Sequence, residues 1–165
     1  KTWATNGHGF KRKKNIINSL YIDPKELEDS VIARYKRYDK VEETEVRCEK
    51  YMTDDADIII TAFGITSRIA KSAIAEARKS GIKVGIKVGL IRPITLWPFP
   101  KKELNELADT AKVFLSVEMS MGQMVDDVRL AVNGKRPVHF FGRTGGIIPS
   151  VDEVYAEIKK LSEVI

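Results

Sequence analysis

From Asp57 onward the chain alternates short apolar runs with longer amphipathic segments, and it does so four times. The first run, residues 57–63, is apolar at nearly every position, which is typical of a strand buried on both faces of a parallel sheet. The other three runs end near Ile91, Val117 and Phe141. This order predicts an α/β fold with a mostly parallel sheet, helices on both faces and right-handed crossovers.

Two of the predicted helices have recognisable start signals. Thr66 or Ser67 is placed to cap the helix that follows the first strand. Ser150 and Glu153 have the spacing of a capping box, in which each side chain accepts a hydrogen bond from the other residue's backbone N–H. The sequence therefore predicts the last helix to begin after Ser150.

The basic excess of the chain is confined to its N-terminal segment. Lys1, Lys11, Arg12, Lys13 and Lys14 lie among the first fourteen residues with no acid, and their sum equals the net charge of +5. The remainder is neutral overall, whereas a nucleic-acid-binding domain carries a basic face on its folded part. We therefore predict no nucleic-acid binding and interpret residues 1–22 as an arm or linker from a missing upstream domain.

Residues 23–52 are predicted to form one brace helix, preceding an α/β domain at residues 53–165. Asp23 can cap this helix, and Pro24 suits its first position. A single apolar stripe follows at spacings of three and four: Leu27, Val31, Tyr35, Tyr38 and Val41. Because the stripe is narrow and the opposite face is charged, we expect the helix to run to about residue 51 and to pack along a larger body.

Composition excludes several classes of protein. No long apolar run or signal-peptide pattern is present, so we predict no membrane association and a cytoplasmic location. Cys48 is the only cysteine, which excludes an internal disulfide, a cysteine-ligated zinc site and an iron–sulfur cluster within this chain.

The string GIKV occurs twice in succession, at residues 81–84 and 85–88, either by chance or by a four-residue duplication.

Four loops follow the predicted strands and should gather at one edge of the sheet: residues 64–67, 92–99, 118–123 and 143–150. They contain no complete catalytic set and no metal-ligand cluster, so we assign no catalytic residue. Glu118 is the best-placed acid, either as a functional acid or as a hydrogen-bonding group at an interface. Met119, Met121 and Met124 indicate an apolar contact surface nearby.

Two of these loops are candidates for anion binding. Gly64, Thr66 and Ser67 precede or open a helix whose free N–H groups could bind an anion, although plain helix capping is the favoured explanation. Arg143, Gly145 and Gly146 could also face an anion, and a turn with one exposed arginine is the alternative. No Rossmann glycine fingerprint follows a strand, and no P-loop is present.

The strings LIRPITLWPFP, VEMSMGQMVDDVRLAV and GRTGGIIPS resemble the C-terminal domain of the α subunit of 2-oxoacid:ferredoxin oxidoreductases. The segment KNIINSLY in the arm is similar to the 2-oxoisovalerate-type branch of that family. The resemblance implies a three-layer α/β/α fold like the C-terminal domain of transketolase, with four to five strands. In many relatives one early strand is antiparallel. Residues 46–52 are the candidate for it here, but their pattern favours helix.

The resemblance also implies an activity for the whole enzyme. Such enzymes convert a 2-oxoacid, coenzyme A and oxidised ferredoxin to acyl-CoA, carbon dioxide and reduced ferredoxin. Thiamine diphosphate with Mg²⁺ supplies the carbanion chemistry, and iron–sulfur clusters take the electrons. The implied partners are an upstream pyrimidine-binding domain, the β and γ or δ subunits, and ferredoxin. This chain lacks the GDG…N diphosphate–magnesium motif and cluster cysteines, so we expect it to be inactive alone and to hold no cofactor of its own.

The resemblance gives an interface or pocket-shaping role to five residues. Glu118, Gly122 and Gln123 match a turn that related thiamine enzymes place at a subunit contact, and Arg92 and Trp97 lie on the proline-rich loop beside it. The alternative hypotheses are a free-standing small-molecule or nucleotide-binding α/β module, and an interaction protein that uses the basic arm.

Overall fold

The computed structural model describes residues 6–80 and 85–165. The first copy of the GIKV repeat, residues 81–84, lies outside the described residues. The chain divides into two compact units, one ending at Asp39 and one running from Lys40 to Ile165. We describe each unit by itself.

The first unit contains most of one long helix, α1 (Pro24–Thr44). Asp23 caps it, since its Oδ1 accepts a hydrogen bond from the N–H of Lys25 at 2.8 Å. No residue of α1 is buried, and the predicted apolar stripe leaves Tyr35 61% exposed. The brace role of α1 stays a prediction.

The prediction that this helix runs to about residue 51 is wrong. Helix α1 ends at Thr44, and a short strand follows, β1 (Cys48–Tyr51). Strand β1 pairs antiparallel with a later strand, so that Glu49 stands opposite Arg92 and forms an ion pair with it at 3.2 Å. The charged residues at 49 and 50 are more typical of a helix than of a strand. The cross-strand pairing with β3 nevertheless makes this segment a strand.

The second unit alternates strand and helix from residue 58 onward, which confirms the predicted α/β fold. Its further elements are β2 (Ile58–Thr61), α2 (Gly64–Ser80), β3 (Val88–Pro93), α3 (Lys101–Thr110), β4 (Val113–Glu118), α4 (Met124–Val132), β5 (Val138–Gly142) and α5 (Val151–Val164). The sheet order is β1-β3-β2-β4-β5, with every pair parallel except β1 with β3. The predicted capping box opens α5, with both of its hydrogen bonds formed.

Helices cover both faces of the sheet and create two apolar cores. Ile58 and Ile60 of β2 point to one face, where they pack with α2 and α5, for example with Ile74 and Ile158. Ile59 points to the other face and packs with residues of α3 and α4. Each of these isoleucines is fully buried, which stabilises the fold by about 1.5–3 kcal/mol per side chain.

The strand order creates a switch point in the middle of the sheet. From β2 the chain moves to β3 on one side, and from β3 it returns past β2 to β4 on the other side. The loops that leave β2 and β4 therefore diverge, and in open α/β sheets ligands bind in the crevice where such loops separate. This crevice lies at the carboxyl ends of β2 and β4.

Candidate functional site at the carboxyl edge of the sheet

The proline-rich loop after β3 is held in place by one threonine. The Thr95 hydroxyl donates a hydrogen bond to the carbonyl of Pro98 at 2.8 Å and accepts one from the N–H of Arg47 at 3.0 Å. The N–H of Ile94 donates to the Arg47 carbonyl at 2.9 Å. The residues just before β1 thus anchor this loop, and Trp97 lies on it, 55% exposed.

Glu118, the last residue of β4, is almost completely buried, with 4% of its surface exposed. Its carboxylate accepts five hydrogen bonds, two of them from the hydroxyls of Ser116 and Ser120. The other three come from the backbone N–H groups of Gln123, Met124 and Val125, at 2.8–3.0 Å. The carboxylate therefore caps α4 and closes the turn that precedes the helix.

The surroundings of Glu118 lower its pKa below the ordinary value of 4.5. Burial acts to raise the pKa, because it removes water from the charged form. The hydrogen bonds from the Gln123 N–H, the Ser120 hydroxyl and the other donors act in the opposite direction and outweigh burial. A carboxylate with a low pKa and fully used oxygens is poorly suited to proton transfer, so the geometry argues against Glu118 as a functional acid, and its interface role stays a prediction.

Two glycines allow the turn after β4 to close. Gly122 has a φ of +105°, a backbone conformation that L side chains rarely adopt. Gly142, at the end of β5, lies so close to this turn that an added Cβ would stand 2.3 Å from the carbonyl oxygen of Ser120. The turn and the end of β5 therefore pack backbone against backbone.

Large apolar side chains are concentrated and exposed around this edge. The set comprises Phe63, Ile65, Ile94, Leu96, Trp97, Met119, Met121, Ile147 and Ile148. Each is at least 38% exposed, and each lies on a loop or first helical turn that follows a parallel strand. Met119 and Met121 of the predicted surface belong to this set, whereas Met124 is buried, and seven further residues extend the set beyond the methionines. We call it the apolar edge.

A cavity of about 380 Å³ opens at the switch point within the apolar edge. Its lining residues are Phe63, Leu96, Phe99, Glu118, Met119, Ser120, Gln123, Met124 and Asp127. Of the five predicted interface residues, Glu118 and Gln123 line this cavity, while Gly122 shapes the turn beside it. The structure thus brings the loops after β2, β3 and β4 together around one concave, mainly apolar site.

The capping role predicted for Thr66 and Ser67 is wrong. Helix α2 already begins at Gly64, and both residues lie buried in its first turn. Their hydroxyls donate to the carbonyls of Phe63 and Gly64, each at 2.7 Å, instead of accepting from the first N–H groups. A serine or threonine hydroxyl at a helix start can either accept a hydrogen bond from a free N–H or donate one to a nearby carbonyl. The sequence does not reveal which of the two bonds forms.

Arg92 is separated from the cavity at the switch point. It lines a second cavity, of about 460 Å³, together with Gly64, Ile65 and Arg68. Arg143 lies elsewhere and forms an ion pair with Glu153 at 3.5 Å, while Gly145 and Gly146 both adopt positive φ in the following turn. The anion-binding role of this turn stays a prediction.

Sequence reasoning missed several lining residues of the two cavities. Phe63 and Leu96 look like ordinary strand-end and loop residues, and only the strand order brings them together. Arg68 and Asp127 carry a recognisable signal, because each is a charged residue in the first turns of a helix that begins at the predicted edge.

Within residues 6–80 and 85–165, no three histidine, cysteine, aspartate or glutamate side chains group as metal ligands. No helix there is long and apolar enough to cross a bilayer.

Residues 56–154 match the family described as pyruvate:ferredoxin oxidoreductase core domain II. The chain belongs to this family. The match covers strands β2–β5, helices α2–α4 and the start of α5, so the core domain II of this chain contains all four loops of the apolar edge. The predicted resemblance to 2-oxoacid:ferredoxin oxidoreductases is thereby confirmed.

Curated relatives of this core domain II are subunits of such enzymes. Ketoisovalerate oxidoreductase subunit VorB of Methanothermobacter marburgensis is 43% identical over 98% of this chain and 44% of its own length. The 2-oxoglutarate synthase subunit KorA of the same organism is 37% identical over 68% of this chain and 29% of its own length. The chain therefore spans less than half the length of these relatives.

Solved structures confirm the fold of core domain II. A chain of 2-oxoglutarate:ferredoxin oxidoreductase from Magnetococcus marinus superposes with a TM-score of 0.66, at 17% identity, over 85% of this chain and 24% of that one. A split-gene transketolase superposes with a TM-score of 0.56, at 19% identity, over 69% of this chain and 40% of that one. The predicted likeness to a transketolase domain is thus confirmed, whereas the helix favoured for residues 46–52 is wrong, because Cys48–Tyr51 forms the antiparallel strand β1.

Proposed function

We propose that this chain is a contact domain of an α-type subunit of a 2-oxoacid:ferredoxin oxidoreductase, with no catalytic residue of its own. The observation that carries this proposal is the apolar edge, with nine exposed large apolar residues on the loops and first helical turns that follow the parallel strands. Soluble domains rarely leave contiguous apolar patches uncovered, and such patches mark interaction sites. We infer that the apolar edge packs against another part of the enzyme.

The proposed whole enzyme makes acyl-CoA, carbon dioxide and reduced ferredoxin from a 2-oxoacid, coenzyme A and oxidised ferredoxin. We favour 2-oxoisovalerate as the substrate, because the ketoisovalerate relative matches more of this chain, at higher identity, than the 2-oxoglutarate relative does. The proposed partners are an upstream pyrimidine-binding domain, the β and γ or δ subunits, and ferredoxin, in the cytoplasm.

The described residues do not fit a binding site for thiamine diphosphate with Mg²⁺. Both oxygens of Glu118 are already used by five protein donors, so this carboxylate has no acceptor left for a cofactor. Within the described part of the chain no cluster of metal ligands exists. We therefore place thiamine diphosphate, Mg²⁺ and the iron–sulfur clusters on other parts of the proposed enzyme and derive no chemical step from this chain.

The proposed role of these residues is to present rigid loops to a neighbour. Glu118 ties the turn after β4 to the start of α4, so that Met121 and Gln123 keep a fixed place. Thr95 does the same for the loop that carries Leu96 and Trp97. Rigid loops around a cavity favour a specific contact, because less conformational freedom is lost when a neighbour binds.

Co-purification tests the contact surface. The chain is expressed with the part of VorB from M. marburgensis that it does not match, together with the other subunits of that enzyme. We expect Met121→Glu to reduce recovery of this chain with the complex by about tenfold, the effect of roughly 1.4 kcal/mol. Leu130→Glu is the matched control, because Leu130 on α4 is 76% exposed, close to the 82% of Met121, but lies outside the apolar edge. Equal recovery of both variants, or no recovery of the unmodified chain, would contradict the proposal.

A second function, binding of a small molecule by the chain alone, is favoured by one observation. The cavity at the switch point is of a size typical of ligand sites, and it is mainly apolar. Calorimetric titration with adenosine and pantetheine, which carry no phosphate, tests this function. Saturable binding that Leu96→Glu abolishes would favour the small-molecule module over the contact domain, since Leu96 lines the cavity.

A further inference from the structure

We infer that the second cavity, lined by Gly64, Ile65, Arg68 and Arg92, binds a phosphate-type dianion. We call it the arginine cavity. It is distinct from the cavity at the switch point, with which it shares no lining residue, and Ile65 is the one lining residue that also belongs to the apolar edge.

The charges around the arginine cavity are unbalanced. Lys71 and Arg92 both form ion pairs with one carboxylate, Glu49, so two cations share a single anion. Arg68 adds a third cation, and within the described residues no carboxylate lies within 4.0 Å of it in an ion pair. Three cations against one carboxylate leave a surplus of two positive charges. This surplus matches a phosphate, which carries a charge of about −1.5 to −2 at pH 7, better than it matches a single carboxylate.

The environment of Glu49 keeps this one carboxylate in its charged form. The pKa of Glu49 is lowered from its ordinary value, first by the hydrogen bond from Lys71 and then by that from Arg92, although burial acts to raise it. Glu49 is therefore charged near neutral pH and cannot supply more than one negative charge. The two remaining positive charges have no counter-charge among these residues.

The donors of the arginine cavity are also incompletely used. In the described part of the chain, the Arg92 side chain hydrogen-bonds through Nη1 alone, to Glu49 at 3.2 Å, and its buried Nε has no acceptor. A guanidinium presents five N–H donors in a planar fork that suits phosphate oxygens. Arg68 brings a second fork of this kind to the same cavity.

The start of α2 adds to this arrangement. The first N–H groups of a helix have no acceptor within the helix, and those of Gly64 and Ile65 belong to residues that line the arginine cavity. The hydroxyls of Thr66 and Ser67 leave these groups uncovered, because both donate to carbonyls instead. The positive end of a 17-residue helix therefore favours an anion at the same place as the two arginines.

The size of the arginine cavity fits a phosphate that is part of a larger group. The volume of about 460 Å³ lies within the range of about 300–1,000 Å³ that is typical of ligand sites. A single phosphate fills only part of this space. We therefore expect a diphosphate to bind more tightly than inorganic phosphate, and acetate to bind weakly.

Titration of the 165-residue chain with inorganic pyrophosphate, followed by amide NMR spectra, tests the inference. We expect saturable shifts of the Gly64 and Ile65 amides at millimolar pyrophosphate. Arg68→Glu should weaken binding at least about tenfold, because it removes one guanidinium fork and places a negative charge beside the anion. Arg68→Ala, a milder change, should weaken it by about threefold or more.

Two controls separate this site from general attraction of anions. Arg129→Glu changes the net charge by the same amount as Arg68→Glu, but it alters an exposed residue of α4 that pairs with Asp126. Substituting Lys13 and Lys14 by glutamine tests the basic arm. Both variants should bind pyrophosphate as the unmodified chain does, and amide spectra check that every variant is folded.

Three outcomes would overturn the inference. They are the absence of saturable binding up to about 10 mM pyrophosphate, an equal loss of affinity with Arg129→Glu, and shifts confined to the arm. None of these outcomes bears on the co-purification of the Met121 and Leu130 variants, so the arginine cavity and the contact-domain proposal stand or fall separately.

Discussion

The carboxylate of Glu118 and the backbone N–H of Val125, seven residues later, are joined by a hydrogen bond of 2.8 Å. This bond links the last residue of β4 to the first turn of α4, and four further donors reach the same carboxylate. The end of a central strand and the start of a core helix therefore depend on one buried acid.

Replacing Glu118 by glutamine should destabilise the chain by about 3 kcal/mol, because an amide nitrogen would face N–H and hydroxyl donors and leave some of them without an acceptor. Urea denaturation measures the loss. Glu106→Gln is the control, since the Glu106 side chain is 55% exposed and makes only long ion pairs, and it should change stability by less than about 1 kcal/mol. Similar losses in both variants would show that the hydrogen bonds of Glu118 contribute little.

The stability of the chain should fall as the pH falls below the ordinary glutamate pKa of 4.5. The pKa of Glu118 is lower in the folded state than in the unfolded state. As the pH falls, the unfolded state therefore binds the proton first, and this binding stabilises the unfolded state relative to the folded one. The stabilisation by Glu118 is present above pH 4.5 and is lost as the pH drops through its folded-state pKa. Urea denaturation at several pH values measures the free energy of unfolding. As the pH falls, this free energy should decrease less steeply for Glu118→Gln than for the unmodified chain. Parallel curves would contradict the lowered pKa.

Gly142→Ala should destabilise the chain by about 3 kcal/mol, because the new Cβ would stand 2.3 Å from the Ser120 carbonyl and force the backbone apart. Gly145→Ala is a fair comparison. Gly145 has a positive φ of +65° but open space around it, so alanine there should cost only about 1 kcal/mol. Thermal denaturation measures both variants. A smaller loss at Gly142 than at Gly145 would mean that the contact with Ser120 relaxes easily.

Ile59→Ala should destabilise the chain by about 4 kcal/mol, since Ile59 is fully buried between β2 and the helices on one face of the sheet. Tyr35→Ala on α1 should cost less than about 1 kcal/mol, because Tyr35 is 61% exposed and its described ring contact is one with Tyr38. Melting temperatures of the two variants give the comparison. Equal losses would show that α1 is as integral to stability as the sheet.

The parallel part of the sheet was predictable from sequence because its strands are buried on both faces. Ile58, Ile59 and Ile60 contact a core on one face or the other, so all three must be apolar, and an unbroken apolar run of this length is typical of a central parallel strand. Ser150 and Glu153 were equally informative, since a capping box depends only on local spacing.

Strand β1 could not be predicted because its pairing is not local. Glu49 and Arg92 are 43 residues apart in the chain and meet only when β1 joins β3. The direction of the hydroxyl hydrogen bonds at the start of α2 could not be predicted either. Thr66 and Ser67 are residue types that often cap helices, yet both donate to the carbonyls of Phe63 and Gly64. The arginine cavity depends on both features, since it forms where β3 ends beside the start of α2.

The rigidity of the turn between β4 and α4 should make any association at this edge of the sheet selective. Three backbone N–H groups and the Ser120 hydroxyl of this turn bind one carboxylate, so the segment from Glu118 to Val125 gives up its conformational freedom during folding. A neighbour that docks there meets a surface already in its bound shape. Such a lock-and-key encounter costs little further ordering and rejects partners to which a softer loop would adapt.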